Sequence, residues 1–65
     1  MHRNELVRIP NVLAIGGGPA LICEMKGRRV GVPVAQIAAR SQVRSPGDYG
    51  DLVIPRWLAV NLDLI

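Results

Sequence analysis

Five prolines and seven glycines are spread through a chain of only 65 residues, and that punctuation sets the scale of what it can build. Proline has no backbone N–H and a fixed φ, and glycine weakens the interior of any regular element. The chain is therefore cut into short pieces, which suit short strands joined by tight turns. At this length a single small domain, residues 1–65, is expected, and a domain of this size buries only about 60% of the surface its unfolded chain exposes. Such scaffolds usually need a covalent or metal staple. Here the lone cysteine, Cys23, excludes an internal disulfide, and a four-ligand zinc site lacks its ligands. Apolar residues make up 49% of the chain, too many for disorder. Stability must come from a core or from a partner.

Residues 5–9 are apolar enough for a first strand, and Pro10 and Asn11 are expected to interrupt it before residues 12–15 resume in extended form. Gly16, Gly17, Gly18 and Pro19 end that segment. The strongest local signal follows. Residues 20–25 and 28–32 flank Lys26-Gly27, a two-residue connection with glycine second, which predicts a hairpin even though Lys suits the first turn position less well than Asn or Asp. Side-chain alternation puts Ala20, Ile22 and Glu24 on one face and Leu21, Cys23 and Met25 on the other, one of the two largely dry. Pro33 stops the second arm, and residues 34–39 have the composition for a single helical turn, too short to stand alone. Gln42 and Val43 offer a short strand, and residues 45–50 form the clearest turn cluster. Residues 51–54 read as a strand, Pro55 suits the first position of a helix, and Leu58 and Leu62 lie four apart on one helical face. The expected fold is mainly β (α+β): a small twisted antiparallel sheet or partly open barrel with one short helical turn and a short C-terminal helix.

Val32-Pro33-Val34-Ala35-Gln36-Ile37, Gly47-Asp48-Tyr49-Gly50, Leu52-Val53-Ile54 and Pro55-Arg56-Trp57-Leu58-Ala59 occur in that order. Together they resemble a type of small, largely uncharacterised domain met in bacteriophage and mobile-element proteins. Its pattern is a hairpin ending in Pro-x-x-Gln-Ile, then Gly-Asp-x-Gly, a strand and Pro-x-Trp-Leu-Ala. The resemblance covers about two thirds of the chain, from residue 20 to residue 62. It implies a compact β structure capped by the helix, and an accessory protein of a phage or prophage, at work in the cytoplasm of a bacterial host cell. It implies no reaction. Such domains often carry an aromatic where Gly31 stands, a serine where Ala35 stands, and an acidic helix where Arg56 and the uncharged Ala59, Val60 and Asn61 stand.

Catalytic chemistry is hard to place on this sequence. The Gly16-Gly17-Gly18 run lacks the Lys-Ser/Thr pair of a phosphate loop and is followed by Pro19 and a strand pattern, so a turn is expected. His2 has no Asp or Cys at ligand spacing and is expected to be solvated. Cys23 lies among Leu21, Ile22 and Met25, where a thiol behaves as a small buried hydrophobe. Asp48 and Asp51 flank a glycine-rich turn, where accepting N–H bonds is the expected role. We therefore expect no enzyme activity, no metal and no cofactor. The stretch from residue 9 to residue 25 is broken by Pro, Asn, Gly and Glu24, which rules it out as a span of about 20 apolar residues. The basic N-terminal residues precede Glu5 and Arg8 instead of an apolar run, so a signal peptide is not expected either.

What remains are surfaces. Eight basic residues, seven of them Arg, against five acidic ones give a net charge of +3. Lys26, Arg28 and Arg29 are expected to crowd the hairpin tip, and Arg40, Arg44 and Arg56 to gather near the later turn and the helix start. With Tyr49 and Trp57, the only aromatics, these are the candidate partner-binding residues. Platforms that stack bases interleave more aromatics than two. Trp57 either locks the helix onto the sheet or anchors a partner, and the thin core favours locking. Leu6, Val7 and Ile9, with Leu62, Leu64 and Ile65, exceed what one short helix can cover, so an exposed apolar edge is expected. The leading functional expectation is a non-enzymatic, stoichiometric protein-binding factor, an inhibitor of a host defence complex of the anti-CRISPR kind being one form. The alternatives are a small β nucleic-acid-binding accessory and a self-assembling structural subunit, a homodimer in its simplest form.

Overall fold

The computed structural model describes residues 5–65. Its elements are β1 (Leu6–Gly16), β2 (Ala20–Met25), β3 (Arg28–Pro33), a single 3-10 turn (Val34–Gln36), β4 (Tyr49–Pro55) and α1 (Arg56–Asn61). The four strands form one open antiparallel sheet in the order β3-β2-β1-β4, so three hairpin-connected strands are followed by a fourth that returns beside the first. This is Greek-key order. The mainly β class expected from the sequence is the class observed.

Lys26 and Gly27 have φ of 51° and 73°, the pair of left-handed residues that a two-residue hairpin needs to match strand twist. The hairpin registers Met25 against Arg28 and Cys23 against Val30, which turns Leu21, Cys23, Met25 and Val32 into the core. β1 corrects the reading of Pro10 and Asn11 as an interruption. Ile9 pairs with Leu52 and Val12 with Gly50, so two residues of β1 face one of β4, and Asn11 has φ 59°. This is a bulge, where Pro10 needs no ladder hydrogen bond. Ile9 and Val12 are three apart, and the extra residue lets both point inward, followed by Ala14. A second shift, between Ala14 and Gly16, places Ile15 outside the β2 register.

One face of the sheet is covered. Val43 from the β3–β4 connection and Leu58 and Ala59 from α1 join Ile9, Val12, Leu21, Val32, Leu52 and Ile54 in a single core. Fully burying Leu21, Leu52 and Ile54 contributes about 1.5–3 kcal/mol each. The connection also closes the outer edge of β4. Ala38 N–H donates to the Val53 carbonyl (2.9 Å), Val53 N–H to Ser41 Oγ (3.1 Å), Gln42 N–H to the Asp51 carbonyl (2.9 Å), and Asp51 N–H to Gln42 Oε1 (2.8 Å). Gln42 and Val43 therefore do not form the strand expected of them. Gln42 spends its side chain and its N–H on Asp51, in a two-point clasp that regular pairing would not allow. Pro55 stands one residue earlier than expected, as the extended residue that caps α1. The helix ends with Leu64 N–H donating to the Ala59 carbonyl and Asp63 N–H to the Val60 carbonyl, a C-terminal cap with Asp63 in the left-handed conformation.

Candidate interaction surface

Among the described residues the opposite face of the sheet is covered only at Val53, which alternates with Leu52 and Ile54 yet is buried; toward β2 and β3 it is open. Alternation along an antiparallel strand with one solvated face should place polar side chains there. β2 obeys in part, with Glu24 outward, and β3 presents Arg29. Beside them the outward positions are apolar: Tyr49 on β4, Leu13 and Ile15 on β1, and Ile22 on β2, all exposed. Leu13 is registered directly against Tyr49 on one side and Glu24 on the other, and Ile22 lies opposite Gly31. Side chains opposite one another across neighbouring strands have Cβ atoms about 5 Å apart. Tyr49 and Leu13 thus extend the Glu24–Arg29 row across β4 and β1, and Ile15 and Ile22 flank that row on the same face, Ile22 opposite the bare backbone of Gly31. Tyr49 is 63% exposed, and its hydroxyl donates to Asn11 Oδ1 at 3.2 Å, which holds the ring over the bulge.

Arg28 and Arg29 of the expected hairpin-tip group diverge, and Arg40 and Arg44 line different depressions. Arg28 and Arg29 are neighbours in sequence, but alternation sends them to opposite faces. The Arg28 guanidinium reaches the end of α1, donating to the Asp63 carbonyl (2.8 Å) and the Leu62 carbonyl (3.3 Å), where it completes the helix cap. Arg29 Nε lies 3.5 Å from Glu24 Oε2 on the open face. Lys26 alone projects from the turn. Arg40 lines a depression of about 450 Å³ with Leu6, Arg8 and Val53, while Arg44 lines a different one with Val34, Ile37, Ser45 and Asp48. Arg56 opens α1, its N–H donating to the Glu5 carbonyl. The long connection between β3 and β4 carries Arg40 and Arg44 apart, and the sequence holds no sign of its path.

Trp57 also departs from expectation. It is 47% exposed, on the side of α1 that also carries Val60, whereas Leu58 and Ala59 supply the buried side. The core is already filled by small aliphatic side chains, and a six-residue helix can turn only two fully inward. The surplus apolar surface lies elsewhere than predicted. Ile9 is buried, Val7, Leu62 and Leu64 pack against the core, and of those six residues only Leu6 and Ile65 remain exposed. The sequence reading missed Leu13, Ile15 and Ile22 as surface residues. The signal was present: with Asn11 taken as a bulge, alternation from Val12 turns Leu13 and Ile15 outward.

Cys23 is fully buried, as expected, and burial raises its thiol pKa, keeping it protonated and unreactive. Asp48 accepts the N–H groups of Arg44 and Ser45 through Oδ2, the turn-holding role expected of it, and Asp51 lies 3.6 Å from Arg8 Nε. Among the described residues no three His, Cys, Asp or Glu side chains come together as metal ligands, and no helix is long and apolar enough to cross a membrane. His2 lies outside the described residues.

No family model matches this chain, and neither a curated protein nor a solved structure matches it significantly.

Proposed function

We propose that this domain is a non-enzymatic binding factor that acts by stoichiometric protein–protein interaction, the open face of its sheet being the contact surface. The apolar band of Tyr49, Leu13, Ile15 and Ile22 carries the reading, because these positions would be polar on a sheet face that remained in water. An anchor of aliphatic and tyrosyl side chains rimmed by the Glu24–Arg29 pair has the composition of a small protein interface. The partner fits the phage or mobile-element setting that the sequence pattern implies. It is a larger bacterial or viral assembly whose working surface the domain covers, a host defence complex among them. Nucleic acid is the less favoured partner, since Arg28, Arg29 and Arg8 are each turned toward groups of the chain itself.

Affinity purification from bacterial lysate tests this, comparing the natural chain with Leu13→Thr/Ile22→Thr, whose exchanges sit on strands and leave the core intact. The natural chain should retain a protein near one-to-one, persisting as salt rises from about 0.05 to about 0.5 M, whereas phosphate contacts weaken steeply over that range. The double variant should lose it. Equal recovery by both chains, or recovery only of nucleic acid that salt releases, would overturn the proposal.

A further inference from the structure

The two edges of this sheet are treated differently. On β4 the outward N–H and C=O groups of Asp51 and Val53 are all bonded to residues 38–43. On β3 the hairpin makes Met25–Arg28, Cys23–Val30 and Leu21–Val32 the bonded pairs, so the backbone groups of Arg29 and Gly31 point away from the sheet. Among the described residues nothing bonds to them. Exposed edges invite strand pairing, and proteins usually blunt them. Here Pro33 limits the open stretch, and the exposed Arg29 stands on it.

The geometry points to this β3 edge as a strand-addition site for an extended acidic segment of a partner protein, with a large apolar side chain two residues before the acid. The incoming strand runs antiparallel to β3. Its residue opposite Gly31 shares the open face with Ile22, and no side chain of β3 occupies that position, so a large apolar group can lie over the glycine onto Ile22. Two residues on, the same face presents Arg29, exposed beside Glu24 with the Lys26 turn beyond it, so an acid there exchanges with Glu24 for the guanidinium. The backbone of Arg29 and Gly31 supplies four main-chain hydrogen bonds, the source of affinity in this mode of recognition. A second copy fits less well. Satisfying all four groups in both copies sets Arg29 opposite the other copy's Gly31, bringing two Arg29 side chains onto one face two positions apart between molecules each of charge +3. This site goes beyond the face-binding reading and does not depend on it.

The test is NMR titration of the full chain with a blocked hexapeptide, Thr-Val-Tyr-Val-Glu-Thr, and with its counterpart carrying Lys for Glu. The acidic peptide should shift the Arg29 and Gly31 amides and slow their exchange at least about tenfold at saturation. The Lys peptide should bind at least about threefold more weakly. Gly31→Pro, which removes the N–H at a solvent-facing edge position, should abolish binding, while Gly31→Ala, whose Cβ makes only ordinary contacts with Ala20 and Ile22, should keep the Arg29 protection. Retained slow exchange at the Leu52 and Ile54 amides, on the far side of the sheet, establishes that each variant is folded. Leu13→Thr should leave peptide binding intact, which separates this site from the band. No protection at Arg29 and Gly31, equal affinity for the Lys peptide, or protection that grows with protein concentration alone would overturn the assignment.

Discussion

Replacing Ser41 by alanine removes one oxygen from the interior and leaves the Val53 N–H, which donates to it at 3.1 Å, without a partner. Ser41 is the one buried polar residue among the described residues. Its hydroxyl also donates to the Val43 carbonyl at 2.9 Å, with the Asp51 carbonyl 3.2 Å away. Asp51 loses little, because its carbonyl still accepts the N–H groups of Gln42 and Val43. An orphaned N–H at a buried position costs about 1–3 kcal/mol, and the lost bond to Val43 about 0.5–1.5 more, so Ser41→Ala should destabilise by about 2–4 kcal/mol. A 65-residue domain has roughly 3–10 kcal/mol in all. The corresponding fall in Tm is roughly 15–30 °C at this size. Urea unfolding followed by far-UV circular dichroism measures the loss, with Ser41→Thr, which keeps the hydroxyl, and the exposed Ser45→Ala as comparisons. The Val53 amide should exchange faster in Ser41→Ala even where the fold persists. A loss below about 0.5 kcal/mol, or one no larger than that of Ser45→Ala, would show that the connection is held by Val43 burial alone.

Cys23 titrates with a raised pKa when folded, so the unfolded chain, near the ordinary value of about 8.5, releases its proton first. The contribution is whole below that pH and is lost as pH rises through the folded pKa, so the urea midpoint should fall above about pH 8.5, and Cys23→Val should flatten that fall. Gly50→Ala should lose about 2–4 kcal/mol, since φ is 141° and a Cβ would also meet the Gln42 side chain, whose carbonyl holds the Asp51 N–H. Gly18→Ala, at φ 136° with open space around it, should lose only about 1 kcal/mol, and thermal melts of the pair separate strain from collision. Lys26→Asn should raise stability by a few tenths of a kcal/mol to about 1, measured by urea midpoint, because Asn tolerates φ 51° better than Lys.

The elements whose rules are local were legible in the sequence. Lys26-Gly27 between alternating residues fixes a hairpin and its register, and the same alternation sorts Leu21, Cys23 and Met25 from Ile22 and Glu24. Pro55 before Leu58 marks the turn from strand to helix. What failed depends on distant partners. Pro10 and Asn11 read alike as a break or a bulge, and only pairing with β4 on one side and β2 on the other decides between them. The path of residues 37–48 is set by Ser41 and Gln42 reaching β4, which no short-range preference encodes. The destination of Arg28 is a carbonyl 35 residues away.

A sheet with one largely open face can be explained by shortage alone: beyond four strands the described residues supply one connection and one short helix to cover them. Shortage, however, accounts for the bare face and not for its composition. Threonine or lysine at Leu13, Ile15 and Ile22 would serve the strands as well and the solvent better, at no loss to the core behind them. Nor is Trp57 outside for want of apolar material, since the interior is already closed by Val12, Leu21, Val32, Val43, Leu52 and Ile54, every one of them fully buried. A chain that seals its core with small aliphatic side chains, yet keeps its only tryptophan and tyrosine and three large aliphatic residues in water, has apolar surface that its own fold does not use. Burial against another protein is the use that this composition fits, and the same surface is where substitutions should change binding while leaving stability nearly untouched.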